Sequence, residues 1–285
     1  MARYIIYTYQ FSPIRNPNLS MFEEIGTPEE RMNKKQDYLE EILKNADLQF
    51  KYKNTIYQSQ CIYNDMHFFV FQIANDRPVR IEENFKKKKQ DNHPSSFVII
   101  DNRAGVQHIA IEECPSSFTE TLTVCNILKA TFNRHLKGKG LVVDIAKEYQ
   151  DSEFWEHVDK YKESGISMVR FHIDYPNLPR VHDSIRELLS ATSKESNSKQ
   201  TTLEFKADAN ESLELSRENA EIEGLARASA DSGSTICIKA KKIRKYIKTG
   251  KTSKSIEIDD LKATIKDDLH RKSYEKLAEL FNSIK

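Results

Sequence analysis

The chain has 285 residues, with 44 Lys and Arg against 43 Asp and Glu for a net charge of +1. Affinity for an anionic partner must therefore come from a local patch and not from overall charge. Charged residues make up 31% and apolar residues 38%, which points to amphipathic elements, and no apolar run approaches the roughly 18 residues that a membrane-spanning helix needs. Four scattered cysteines without a CxxC pair, Cys61, Cys114, Cys125 and Cys237, fit a reduced cytoplasmic protein.

Arg3 to Phe11 is rich in Ile and Tyr and predicts a strand; it lacks the cleavage site of a signal peptide. Ser12 to Gly26, with Pro13 and Pro17, reads as a loop. Asn33 to Ala46 predicts a helix through Tyr38, Leu39, Ile42, Leu43 and Ala46, with Asn33 and Gln36 as a capping box. Leu48, Phe50 and Tyr52 alternate with polar residues. Ile56–Tyr63 and His67–Ala74, then Phe97–Asp101 and Val106–Glu112, form closely spaced pairs with short turns, as in an antiparallel meander. Arg80 to Pro94 between these pairs reads as an exposed loop carrying Lys86, Lys87, Lys88 and Lys89. Thr119 to Leu136 predicts a helix.

Lys137 to Gly140 is a candidate domain boundary, after which strands and helices alternate. Leu141–Lys147 is a strand; Phe154, Trp155, Val158 and Tyr161 mark a helix; Val169, Phe171 and Ile173 mark a strand. Pro179 can open a helix with Val181, Ile185, Leu188 and Leu189 as its buried stripe, followed by a polar linker over Ser193–Gln200. Leu203, Phe205 and Ala207 mark a strand, and Ile222, Leu225 and Ala226 a helix that stops at Ser232-Gly233. A last helix runs from Asp259. The expected fold is α+β in two lobes: residues 1–137, then 138–258 with a basic ribbon at 236–255, and a C-terminal helix at 259–285 that packs back on the first lobe.

Ile236 to Ser255 holds eight basic residues and no acid: Lys239, Lys241, Lys242, Arg244, Lys245, Lys248, Lys251 and Lys254. Ile236, Ile238, Ile243, Tyr246 and Ile247 interleave them, and the segment reads as two strands turning near Thr249-Gly250. The preceding stretch, Glu195 to Thr235, holds nine acids and four bases. Such segregation is the footprint of a polyanion-binding element, because cations that neutralise phosphates release counterions and give affinity without sequence readout. A two-stranded ribbon also fits a DNA groove. The alternative is an edge hairpin that its lysines protect from aggregation. Lys86 to Lys89 form a second candidate contact, against the plainer reading of a solvated charge run.

Catalytic signatures are weaker. Gly250-Lys251-Thr252 resembles the tail of a phosphate-binding loop, but Lys245 stands where that motif needs glycine. Glu204-Phe205-Lys206 matches the E-x-K half of a Mg²⁺-dependent nuclease core, with Asp174 or Asp183 as a further carboxylate; a solvated strand face is the competing reading. The eight histidines show no zinc spacing. No metal, cofactor or catalytic residue is expected.

The element order resembles the RexA-like family of phage exclusion proteins. The resemblance is carried by YIIYTY, by the aromatic pair FKYKNTIYQSQCIYNDMHFFVFQIAND, by PSSFVIIDNRAGVQHIAIEE, and by the later MVRFHIDYPNLPRVHDSIRELLSA and TLEFKADANESLELSRENAEIEGLARA. It implies a fold related to the recombination-associated protein RdgC. It further implies a cytoplasmic homodimer that binds double-stranded DNA with little sequence preference and works in phage exclusion with a membrane-protein effector. The family carries no sharp set of DNA-contacting residues, so the basic residues named above rest on charge alone. The remaining alternatives are the nuclease and a module whose ribbon binds an acidic protein.

Overall fold

A computed structural model describes residues 1–14, 26–174, 198, 200–265 and 270–284. The expected helix from Pro179 through Val181, Ile185, Leu188 and Leu189, the residue Asp183, and nearly all of the expected linker lie outside the described residues. Among those described, the fold is α+β, with seven α-helices and fifteen strands in antiparallel sheets. The chain divides into two compact units: residues 1–145 with 255–285, and residues 146–254.

Unit 1 is built on β1 (Ala2–Pro13). Its sheet runs β10 (Leu141–Lys147), β1, β9 (His108–Glu112), β8 (Ser95–Asp101), β5 (Phe68–Ala74) and β4 (Ser59–Asp65), and β15 (Ser255–Ile258) also pairs with β1. The registers Tyr4↔Glu112 and Ala2↔Ile258 set which residues share a face. Successive strand residues point to opposite sides, and β1 is apolar on both. Ile5, Tyr7, Tyr9 and Phe11 pack with α2 (Lys35–Lys44) and α3 (Thr121–Leu136). Tyr4 and Ile6 pack on the other face, with Leu261 of α6 (Leu261–Ile265) and Leu277 and Phe281 of α7 (His270–Asn282). Phe68, Phe69 and Phe71 of β5 are core residues. Two small pairs complete the unit: β2 (Phe50–Tyr52) with β3 (Thr55–Tyr57), and β6 (Val79–Glu83) with β7 (Lys86–Gln90).

Several polar residues in this core are paired. The Tyr9 hydroxyl donates to Asn102 Oδ1 at 2.8 Å, and Asn102 Nδ2 donates to the Gln36 carbonyl at 3.0 Å. Burial and the nearby Asp101 carboxylate raise the Tyr9 hydroxyl well above the tyrosine range. Glu112 is the less favourable case. Burial raises its carboxyl, only partly offset by the Phe97 N–H that it accepts at 2.9 Å. The folded chain therefore binds this proton more tightly than the unfolded chain, and stability is lost as pH rises from the unfolded carboxyl value of about 4.3 through the raised folded one. Glu112→Gln keeps an acceptor for Phe97 and should be more stable than the parent in urea unfolding at pH 7, with the gain vanishing below pH ~4. An equal gain at both pH values would show that ionisation is not the cause.

Three expectations need correction. Lys137–Gly140 is not a domain boundary: Lys137–Lys139 form a 3-10 turn after α3, and Gly140 ends it in the left-handed region (φ 68) before β10 starts. A side chain there would strike Arg31, whose buried guanidinium donates to the carbonyls of Ile14 and Gly140 at 2.9 and 2.8 Å. The crossings between units fall instead at 145/146 and 254/255, because β10 and β15 both pair with β1. Second, the predicted helix Asn33–Ala46 is α2, but a separate helix α1 (Pro28–Asn33) precedes it, and the capping box belongs to Thr27 and Glu30 of α1, with Pro28 at the first helical position. Third, the C-terminal helix predicted from Asp259 is α6 and α7, with 266–269 outside the described residues; both pack in unit 1.

Unit 2 is a four-stranded sheet in the order β12 (Gln200–Lys206), β11 (Ile166–Asp174), β13 (Cys237–Ala240), β14 (Ile247–Lys248). Helices α4 (Ser152–Tyr161) and α5 (Ala220–Asp231) supply Phe154, Trp155, Val158, Leu225 and Ala226 to one core with Val169, Phe171, Ile173 and Ile238. Asn219 caps α5, its side-chain oxygen accepting from the N–H groups of Glu221 and Ile222.

Candidate nucleic-acid interface

The basic ribbon turns earlier than its sequence suggests. Strand β13 pairs with β14 through Cys237↔Lys248 and Ile238↔Ile247, so the turn spans residues 241–246 and not Thr249-Gly250. Lys242 holds φ 65 in this turn, and the Lys241 N–H donates to the Gly165 carbonyl at 2.8 Å. The Lys239 ammonium donates to the carbonyls of Ile243 and Arg244 at 2.7 and 2.6 Å and lies 5.2 Å from the Tyr246 ring centroid. Lys239 therefore closes the turn from within, and its charge is spent on backbone oxygens rather than offered outward.

The eight cations thus separate into classes that charge counting could not distinguish. Lys242, Arg244, Lys245, Lys248 and Lys251 are exposed, and among the described residues none of them is ion-paired. Lys241 is half-buried. Lys254 is only 6% exposed; it donates to Asp231 at 2.7 Å and lies 3.5 Å from the Glu148 carboxylate. Lys254 is therefore a buried ion-pair member, and Lys239 a turn clamp; neither is an outward phosphate contact.

The loop after β14 is held by an internal anion. The buried Glu153 carboxylate at the start of α4 accepts the N–H groups of Gly250, Lys251 and Thr252, with its closest contacts at 3.0 Å. Gly250 allows this with φ 100. The Gly250-Lys251-Thr252 amides are already occupied by a carboxylate, which gives the glycine and the loop a structural purpose. Glu153→Ala should leave these donors without an acceptor, destabilise unit 2 by about 1–3 kcal/mol, and speed amide exchange at Gly250–Thr252 above that of β11. Unchanged exchange there would mean that the loop is held by other contacts.

Strand register brings further residues to the same sheet face. Arg170↔Cys237, Cys237↔Lys248 and Met168↔Lys239 place Arg170 beside the ribbon, and Arg170↔Glu204 and His172↔Thr202 extend that face onto β12. The opposite face carries Val169, Phe171, Ile173 and Ile238 into the core. Arg170 Nε donates to Glu204 at 2.7 Å, and Lys206 Nζ lies 2.7 Å from the other carboxylate oxygen. These hydrogen bonds, from Lys206 and then Arg170, lower the Glu204 carboxyl below its usual range. Glu204 is thus clamped between two cations, the arrangement of a cross-strand ion network. Among the described residues no three His, Cys, Asp or Glu gather as metal ligands. The His172 ring nitrogen meets the Thr202 hydroxyl at 3.1 Å. Arg170 was not picked out by sequence reasoning; only the pairing register could have found it.

Lys86–Lys89 form strand β7 rather than a loop. It pairs only with β6 among the described strands, through Arg80↔Lys89, Ile81↔Lys88, Glu82↔Lys87 and Glu83↔Lys86. All four lysines are exposed. The base of this hairpin is tied to the unit 1 body by Arg77, which donates to the Pro115 carbonyl at 2.9 Å and the Thr119 hydroxyl at 2.6 Å.

A family model described as a domain of unknown function (DUF4747) matches residues 74–279. The chain belongs to the DUF4747 family. The DUF4747 match takes in the β6–β7 hairpin and all of unit 2, so both basic elements lie within it. No curated protein matches the chain. The four cysteines are free thiols. Among the described residues, no helix is long and apolar enough to cross a membrane.

Proposed function

We propose that this DUF4747 protein is a non-enzymatic, largely sequence-independent double-stranded DNA-binding protein. The observation that carries this reading is the basic ribbon: five exposed cations, Lys242, Arg244, Lys245, Lys248 and Lys251, with no acid paired to any of them among the described residues. A hairpin that only protects a sheet edge has no need of so many unpaired charges, whereas a phosphate-tracking surface does. The sheet face behind the turn carries Arg170 and Lys206 around the one Glu204 carboxylate, a net positive cluster, and the lysine strand of unit 1 is a second element of the same chemistry.

The geometry of Glu204 supports binding over hydrolysis. A nuclease carboxylate must offer its oxygens to a metal ion, and both Glu204 oxygens are engaged by cations. The resemblance to the RexA-like family supplies the biological setting of this reading: a cytoplasmic homodimer in phage exclusion, acting with a membrane-protein effector.

Fluorescence anisotropy with random-sequence duplex across a salt series, without metal and with RNA and single strands alongside, tests the proposal. Duplex binding whose affinity falls steeply with salt is expected. No binding at low salt would overturn it and leave an acidic protein as the partner of the ribbon.

A further inference from the structure

The β6–β7 hairpin ends in an arrangement that the fold itself does not explain. Its two-residue turn is Asn84-Phe85, with φ of 50 and 63. Turns of this kind favour Asn first and Gly second, because both residues must adopt positive φ. Asn84 obeys the rule. Phe85 breaks it, since a bulky residue at positive φ is a genuine outlier. Phe85 is also 98% exposed, the most exposed large apolar side chain among the described residues. Two unfavourable choices, backbone strain and a bare aromatic ring, coincide on one residue, and no packing among the described residues compensates either. Such local conflicts are expected at functional or strained sites and raise the question of what the residue does.

The surroundings of Phe85 indicate what the ring meets. Lys86 to Lys89 follow it on one strand, and Arg80 stands across from Lys89 on the other. Side chains alternate along the ribbon, so Lys87 and Lys89 share one face with Arg80 and Glu82, and Lys86 and Lys88 share the other with Ile81 and the position of Glu83. Cations therefore outnumber the single acid on each face of an arm about 17 Å long at ~3.3 Å per residue. A membrane-inserting tip would need several apolar residues together, and Phe85 sits between Asn84 and Lys86, with Glu82 and Glu83 close behind. A narrow cationic ribbon with one aromatic at its end matches duplex DNA better: the ribbon enters a groove, lysines meet the phosphates on either side, and an apolar wedge enters a base step.

We propose that the β6–β7 hairpin is a DNA-distorting arm, in which Phe85 wedges between adjacent base pairs while Lys86–Lys89 and Arg80 hold the flanking phosphates. This rests on the DNA-binding reading above and adds a mode to it. The arm makes the protein a bender of the duplex as well as a binder. Flexible pyrimidine–purine steps would be preferred positions, since they unstack most easily.

The test uses the full chain and a short duplex with 2-aminopurine at a central TA step and a fluorophore pair at its ends. Binding should brighten 2-aminopurine and shorten the end-to-end distance, as a bend of roughly 20–90° would. Phe85→Ala should abolish both signals and lower affinity by roughly 5- to 150-fold, the worth of one base–aromatic stack. It should leave the salt slope unchanged, because the ring touches no phosphate. Phe85→Trp should restore both signals. Binding without brightening or bending, or identical signals from Phe85→Ala, would overturn the wedge and leave the DNA-binding reading standing. Phe85-dependent binding to anionic vesicles without any duplex signal would overturn the wedge as well. No duplex binding by the parent protein would overturn both.

Discussion

Replacing Lys242, Arg244, Lys245, Lys248 and Lys251 together by glutamate should remove most of the salt-dependent affinity for duplex DNA. Each neutralised phosphate contributes about 0.9 to the slope of log affinity against log salt. Five contacts therefore account for a slope of about 4.5, or about a 500-fold loss of affinity between 50 and 200 mM salt. The variant should lose that sensitivity along with its tight binding at low salt. These side chains are exposed and unpaired among the described residues, so circular dichroism and the urea midpoint should barely move. An unchanged slope in a folded variant would remove the ribbon from the interface. Lys239→Met is the informative contrast. It takes away a cation from the same segment, but one that donates to the Ile243 and Arg244 carbonyls, so its effect should be a loosened turn with little change in slope.

The largest stability effect is expected at Lys254. Its buried ammonium meets the half-buried Asp231 carboxylate at 2.7 Å and the buried Glu148 carboxylate at 3.5 Å. Its own N–H donates to the Glu148 carbonyl at 3.0 Å, and the two residues lie close in sequence to the two crossings between the units. Lys254→Ala takes the cation away from the buried Glu148 carboxylate and the half-buried Asp231 carboxylate and should cost about 3–5 kcal/mol. Removing the charges together, by Lys254→Met with Glu148→Gln and Asp231→Asn, should recover much of that loss, because most of the penalty lies in burying carboxylate charge beside a lost cation and not in the missing pair itself. Urea unfolding of the three proteins decides the matter. A change below about 1 kcal/mol for Lys254→Ala would show that the site is wetter than its burial implies.

Lys239, Lys251 and Lys254 look alike as letters in one basic run, yet one clamps a turn, one faces solvent and one is buried. The difference arises from partners that are remote in sequence. Asp231 and Glu148 come to Lys254 from the end of α5 and from the segment that follows β10, and Glu153 of α4 fixes the loop that carries Lys251. Charge density along the chain could mark the ribbon as basic, but could not orient a single ammonium. Arg170 was missed for a related reason. It lies in an alternating strand with a polar side, and nothing local distinguishes it from any solvated arginine. Its place beside the ribbon follows from the pairings Arg170↔Cys237 and Cys237↔Lys248.

Local patterns did determine much of the architecture. The strands β1, β5, β8 and β9 are near-continuous apolar runs rich in β-branched and aromatic residues, bounded by short turns, so the antiparallel meander and the α+β class were legible. The buried stripes of α2, α3, α4 and α5 were legible on the same grounds. The Lys86–Lys89 run was visible, but four consecutive lysines carry no periodicity, and only pairing with Val79–Glu83 makes them a strand. The exposure of Phe85 was equally hidden, because an aromatic residue in a sequence is ordinarily a core residue. What only the tertiary structure decided was which strands share a sheet, where the chain crosses between units, and which cations remain for a partner. Each of these depends on contacts between segments far apart in sequence, which local propensity and charge do not encode.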